Sequence, residues 1–227
     1  MVDGETVRHL GGTPRFAVTA LTAQTDEVGF FAEPVSPAVF ESQLEAVFSG
    51  APQALKIGML PNRELGGVLA GALQARPDLP VVLDPVLASS SGLSLMDEEC
   101  MGWVRDEFMQ NLTLVTPNLD EVHRFTGMQC DSRDDVERAG EAFLSHGVRA
   151  VLIKGGHLPL DTAADCLIAR ESRPSWIESP RLAGSFRGTG CRLSSAIATR
   201  LGKGDELLDA VAAAKAYLTD CLQQRAG

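Results

Sequence analysis

No apolar run in the 227-residue chain approaches the ~20 residues that a membrane-spanning helix needs, because its core-like stretches are broken by proline, glycine or charge. Basic residues are also scarce: 20 Lys and Arg stand against 30 Asp and Glu, for a net charge of -10. That balance supplies no field to attract nucleic acid or an anionic bilayer, so neither is expected as a partner. The five cysteines (Cys100, Cys130, Cys166, Cys191, Cys221) are odd in number and form no C-x-x-C pair. A disulfide framework and a zinc site are therefore not expected, and a reducing, cytoplasmic setting is. The first residues mix Asp, Glu and Arg with few apolar groups, unlike a signal or transit peptide. Also absent are the G-x-x-x-x-G-K-[ST] loop, H-E-x-x-H, G-x-S-x-G and any paired catalytic carboxylates. Their absence argues against Walker-type, metalloprotease, serine-hydrolase and glycosidase chemistry.

What is present is an alternation of short β-branched or apolar runs with longer segments of helical period, the pattern of a parallel sheet covered by helices. Strands are expected at 15–21, 54–59, 80–84, 112–116, 149–154 and 165–169. Helices are expected at 37–49, 62–75, 97–110, 120–126, 132–146, 189–201 and 205–224, with 170–180 read as a polar connection. The length suits a single domain over 1–227. In an open parallel sheet ligands bind beyond the carboxyl ends of the strands. Those junctions are Gly58-Met59-Leu60, Asp84-Pro85-Val86, Thr116-Pro117-Asn118 and Lys154-Gly155-Gly156-His157.

The sharpest local signal is Gly188-Thr189-Gly190-Cys191, ahead of Leu193, Ala196, Ile197 and Leu201 at helical spacing. Glycines that open a helix let an anion approach the free N–H groups of its first turn, at the favourable end of the dipole. Cys191 in that turn is expected to have a lowered thiol pKa and to be available as a base or nucleophile. The plainer reading is an N-cap loop with a small buried cysteine. Asn118 and Glu121 suit either a Mg²⁺ site beside phosphates or a simple capping box. Asp84 ends an apolar strand, where a carboxylate serves to bind Mg²⁺, to orient a catalytic group or to cap a loop. Lys154 either reaches a phosphate or snorkels from a strand end, and His157 reads as a loop hydrogen-bonder.

Six stretches in this order resemble the hydroxymethylpyrimidine kinase family of thiamine biosynthesis, within the ribokinase-like class. They are Val18 to Thr25, Lys56 to Leu60, Val82 to Val86, Val115 to Leu119, Leu152 to His157 and Gly188 to Cys191. The cysteine at 191, where most ribokinase-like sugar kinases carry aspartate, selects this branch. The resemblance implies a three-layer α/β/α fold with a mostly parallel sheet. It also implies ATP- and Mg²⁺-dependent phosphorylation of 4-amino-5-hydroxymethyl-2-methylpyrimidine and then of its monophosphate, by a homodimer. By the same resemblance Cys191 is the base and Gly188, Thr189 and Gly190 complete the anion hole. Asp3, Gln24, Met59 and Val86 take the pyrimidine; Asn118, Lys154 and Gly156 take the nucleotide; Asp84 and Glu121 take the metal. Departures are expected too. The family's first strand and Gly-rich loop precede the position of Asp3, so one strand is expected to be missing. An Ala-Lys-Ser-Gly segment is Ser89 to Gly92 here without its lysine, and Ser185-Phe186-Arg187 replaces a more polar stretch. A pyridoxal or pyridoxine kinase, and a catalytically lapsed pyrimidine-binding regulator, are the alternative readings.

Overall fold

Side chains along a strand alternate between two faces, so very short apolar runs make strands where helices cover both. In the computed structural model, which describes residues 2–25, 28–89, 92–156, 158–159, 161–182 and 186–226, with backbone only at 24, 225 and 226, this holds at the centre of the main sheet. Ala20–Gln24 (β1) and Gly29–Pro34 (β2) form a separate antiparallel hairpin. The main sheet places Leu55–Ile57 (β3), Val81–Leu83 (β4), Leu114–Val115 (β5), Ala150–Gly155 (β6), Thr162–Ala169 (β7) and Ser175–Pro180 (β8) side by side in that order. The strands β3 to β6 run parallel, and β7 and β8 return antiparallel. Among the described residues no strand pairs with the outer side of β3.

The helices are Val2–His9 (α1), Pro37–Phe48 (α2), Arg63–Gln74 (α3), Glu98–Trp103 (α4), Leu119–Thr126 (α5), Arg133–Ser145 (α6), Thr189–Gly202 (α7) and Leu207–Ala226 (α8). Most begin where a short polar side chain takes up a first-turn amide: Ser36 for α2, Asn62 for α3, Asp97 for α4, Asn118 for α5 and Ser132 for α6. The alternation of the strands then builds three layers. Val82, Leu114, Leu152 and Leu167 pack with Leu193 and Ile197 of α7 and Val211 and Leu218 of α8. Leu83, Val115, Val151 and Ile153 turn to the other side, against Leu65 of α3, Val122 of α5 and Phe143 of α6. The expected three layers and mostly parallel sheet are present.

Three local expectations are corrected and one element is added. The run at 15–21 does not join the main sheet; only its end enters β1, because Leu21 pairs with Glu33 of the hairpin. The connection at 170–180 contains β8, whose Trp176 pairs across to Cys166. The helix expected over 97–110 is α-helical only to Trp103, then widens to a π turn at Val104–Phe108 and tightens to a 3₁₀ turn at Met109–Asn111. An unexpected α1 packs on α7. Among the described residues no helix is long and apolar enough to cross a membrane.

Candidate active site

The carboxyl ends of β4, β5 and β6 meet the N-terminus of α7, and the polar junctions read from the sequence converge there. Asp84 follows β4 and is buried to 2 % exposure. Lys154, on β6, places its Nζ 2.9 Å from Asp84 Oδ1 and 3.7 Å from Glu121 Oε2. The Thr116 hydroxyl lies 3.3 Å from Asp84 Oδ1, and Ser194 of α7 donates to Oδ2 at 3.4 Å. Burial pushes Asp84 up, yet Lys154 and then Lys56 outweigh it and hold the carboxyl below its ordinary range. Burial likewise pulls Lys154 down, but Asp84 and Glu121 carry it above the usual lysine value. Both are charged at neutral pH.

Gly188 caps α7 with φ of +73°, a left-handed conformation that suits glycine, and its carbonyl accepts the first bonded amide, that of Arg192, at 3.0 Å. The N–H groups of Thr189, Gly190 and Cys191 therefore precede the helical ladder and point out of the helix end. A Cβ on Gly190 would stand 3.2 Å from Lys154 Nζ and 3.5 Å from Asp84 Oδ2. A side chain at 190 would crowd the lysine end, so the glycine eases the close approach of the helix to the ion pair. The arrangement is a cradle of amides with a lysine at its side, suited to a phosphate.

Cys191 lies in the first turn of α7, half-buried, as expected. Its expected depressed pKa is corrected: burial raises the thiol, and Asp84 and Asp3 add to this, while Lys56 and Lys154 only partly offset them. The helix dipole does not decide the matter because the thiol is desolvated among carboxylates as well as cations. Asn118 and Glu121 form a true capping box, Glu121 Oε2 accepting the Asn118 amide at 2.7 Å and Asn118 Oδ1 accepting the Glu121 amide at 2.8 Å. Capping does not exclude the other role, since burial pushes Glu121 up to about 7 and Lys154 stands beside it.

On the substrate side, Asp3 of α1 accepts from Lys56 Nζ at 3.1 Å and from Ser195 Oγ at 2.6 Å, both at Oδ1. The Met59 carbonyl accepts from Thr19 at 2.8 Å, which ties the approach to β1 to the junction after β3. Met59 lines a cavity of about 180 Å³ with Ala32 and Pro34 of the hairpin and Leu95 and Met96. Val86 follows Asp84 in a tight turn, its amide 2.8 Å from the Asp84 carbonyl. Gly156 has open space where a side chain would be, and its carbonyl accepts from Arg181 at 2.7 Å. The Gln24 side chain, His157, Ser90, Ser91 and Ser185 lie outside the described residues. A wider groove of about 800 Å³ between α2 and α3, lined by Phe48, Gly67, Gly71 and Arg76, shares no residue with this cluster.

With this geometry the family comparison is decisive: the phosphomethylpyrimidine kinase model matches residues 1–227. The chain belongs to the phosphomethylpyrimidine kinase family. It is 40 % identical over 223 residues to a hydroxymethylpyrimidine/phosphomethylpyrimidine kinase of Streptomyces coelicolor, covering 97 % of this chain and 81 % of that one. The phosphomethylpyrimidine kinase of Clostridium difficile superposes with a TM-score of 0.84 at 32 % identity, over 97 % of this chain and 91 % of that one. The pyridoxal kinase of Staphylococcus aureus, solved with AMP-PCP and pyridoxal, superposes with a TM-score of 0.86 at 26 % identity, over 96 % and 79 %. Within the family frame, sequence reasoning missed Lys56, Thr116, Ser194 and Ser195 as members of the cluster. The two serines carried a signal, standing one helical turn after Gly190 and Cys191.

Proposed function

We propose that this chain transfers the terminal phosphoryl group of ATP to the hydroxymethyl oxygen of 4-amino-5-hydroxymethyl-2-methylpyrimidine, and then to the phosphate of the monophosphate formed. The observation that carries the proposal is the meeting of the first-turn amides of Thr189, Gly190 and Cys191 with the Lys154–Asp84 pair. Phosphoryl transfer asks a protein mainly for positioning and charge stabilisation. The Cys191 sulfur, as thiolate, takes the proton of the attacking hydroxyl; the oxygen bonds phosphorus, and ADP leaves with the electrons of the broken P–O bond. The α7 amides and Lys154 hold the charge on the transferred group, and Gly156 leaves room for the nucleotide. By the family resemblance, Asp3, Gln24, Met59 and Val86 would take the pyrimidine.

Asp84 and Glu121 both adjoin Lys154, and no third acidic, histidine or cysteine side chain among the described residues joins them into a metal cage. That donor set fits Mg²⁺, which keeps several waters and takes its other ligands from phosphates. When bound, Mg²⁺ neutralises charge on the nucleotide; Asp84 and Glu121 would hold it or its waters. We place this activity in a single cytoplasmic domain working as a homodimer, a state favoured by the exposed Leu21, Phe30 and Phe31 on the hairpin.

The structural likeness to a pyridoxal kinase makes pyridoxal phosphorylation the second reading. A coupled ATP-consumption assay with Mg²⁺, offering the pyrimidine and pyridoxal side by side, separates them: turnover of the pyrimidine is expected, faster turnover of pyridoxal reverses the order, and silence with both leaves a ligand-binding relative. In the same assay Cys191→Ala should lower turnover of the alcohol by about 10² to 10⁴. The monophosphate should suffer less, because its attacking phosphate oxygen is already ionised at neutral pH. Unchanged turnover of the alcohol would remove Cys191 from the role of base.

A further inference from the structure

Helix α7 presents two adjacent faces to the sheet. Residues four apart on a helix stack on one face, so Gly190 and Ser194 form one and Cys191 and Ser195 the next. The first face meets the Lys154–Asp84 pair: Gly190 closes on both groups and Ser194 donates to Asp84. The second meets a pair whose lysine has not yet been given a role, since Ser195 donates to Asp3 at 2.6 Å and Asp3 holds Lys56 at 3.1 Å. Lys56 reaches this position from β3, its side chain 14 % exposed. The ammonium folds back over Gly58, where a Cβ would stand 2.8 Å from Nζ, so the glycine keeps its path clear. Cys191 is thus flanked by two anchored lysines from different strands, one on either face.

We propose that Lys56, anchored by Asp3 and Ser195, is a positioning residue for the reaction: its fixed positive charge faces Cys191 and favours the thiolate that accepts the substrate proton. This rests on the reading of Cys191 as the base, and its physical part, a cation held against the thiol, stands apart from turnover. The charged and titratable groups whose fields act on Cys191 are Lys56 from β3, Asp84 after β4, Asp3 from α1 and Lys154 from β6. Two carboxylates and burial oppose the thiolate there, so each cation counts. Lys56 is itself kept charged, because Cys191, Asp3 and Asp84 outweigh the burial that pulls its pKa down.

The test measures the rate of iodoacetamide alkylation of Cys191 at neutral pH, followed by mass spectrometry of the peptide that carries it, in the whole protein. Lys56→Gln retains a donor for Asp3 and removes the charge. Loss of one pKa unit of thiolate stabilisation slows alkylation about tenfold, and Lys56→Arg should restore the rate to within about threefold. Turnover of the alcohol should follow the same order, with KM for ATP nearly constant. The Gln variant alkylating at the parental rate, or the Arg variant reacting as slowly as the Gln variant, overturns the proposal. Failure of the base assignment shows separately, as retained turnover in Cys191→Ala.

Discussion

Lys154 with Asp84 and Lys215 with Asp165 are the same chemistry in two settings. The first pair, 2.9 Å apart, lies where β4 and β6 end beneath the amides of α7; the second, 2.6 Å apart, is enclosed between β7 and α8. Asp84 has spare partners in Thr116, Ser194 and the more distant Lys56, and it titrates below its ordinary range despite burial. Asp165 is contacted by one cation and one amide, that of Gly155 at 3.2 Å, with Lys154 farther off, and burial prevails, raising its pKa above the ordinary value. Contact distance does not separate the pairs; the supply of partners does. With Asp84 stabilised by several groups, Lys154 can turn toward a phosphate without stranding a buried charge, whereas Lys215 cannot leave Asp165.

The contrast breaks first at Lys154. Lys154→Met is expected to lower turnover by about 10² to 10³, the loss typical of a removed charge-stabilising donor. The melting temperature should fall little, because Asp84 keeps its other partners. A variant that unfolds instead would mean that Lys154 is structural. Lys215→Met reverses the profile. Breaking a buried pair by removing one partner costs about 3 to 5 kcal/mol, to be read by urea denaturation, while turnover per folded molecule should fall less than in Lys154→Met. A stability loss below about 1 kcal/mol would show that Asp165 is satisfied without its lysine.

Glu121 sharpens the comparison as a third carboxylate, 3.7 Å from Lys154. Burial pushes it up to about 7, more than Lys154 and the Asn118 amide recover. A carboxyl with a raised folded pKa contributes stability that is fully present below its unfolded pKa and is lost as pH rises through the folded value. Glu121→Gln retains an acceptor for the Asn118 amide and removes the titration. The stability of the Gln variant relative to the parent should therefore rise by up to about 3 kcal/mol between pH values of about 5 and 8. A flat difference over that window would show that Glu121 is ionised throughout.

Much of this geometry is legible in the sequence, and the reason is local. Asp84, Asn118 and Lys154 end apolar runs beside proline or glycine, and Gly188 to Cys191 open a helix with clear apolar spacing. Each signal fits within about one turn or one strand. Lys56 was hidden because its partner, Asp3, lies 53 residues away, and Lys215 because Asp165 lies 50 away. The α1 helix has little apolar period, Gly4 in its first turn weakens propensity, and packing on α7 forms it. The raised Cys191 thiol could not be read from the helix end alone, because burial among carboxylates is a property of the assembled site. The strand β8 sat in a polar, proline-bearing stretch, where half-burial at a sheet edge leaves only weak alternation.

The smallest effect tests the redundancy around Asp84 directly. The Thr116 hydroxyl has one proton and two acceptors within reach, Asp84 Oδ1 at 3.3 Å and the Leu83 carbonyl at 3.4 Å, and both contacts are long. Thr116→Val keeps the shape and removes the donor. Since Asp84 Oδ1 still receives Lys154 at 2.9 Å and Oδ2 still receives Ser194, the expected loss is about 1 kcal/mol in stability, with turnover within about threefold of the parent. A loss as large as that of Lys215→Met would mean that Asp84 depends on a single hydroxyl as Asp165 depends on a single lysine. The two pairs would then differ only in place, and the freedom of Lys154 to engage a phosphate would need another source.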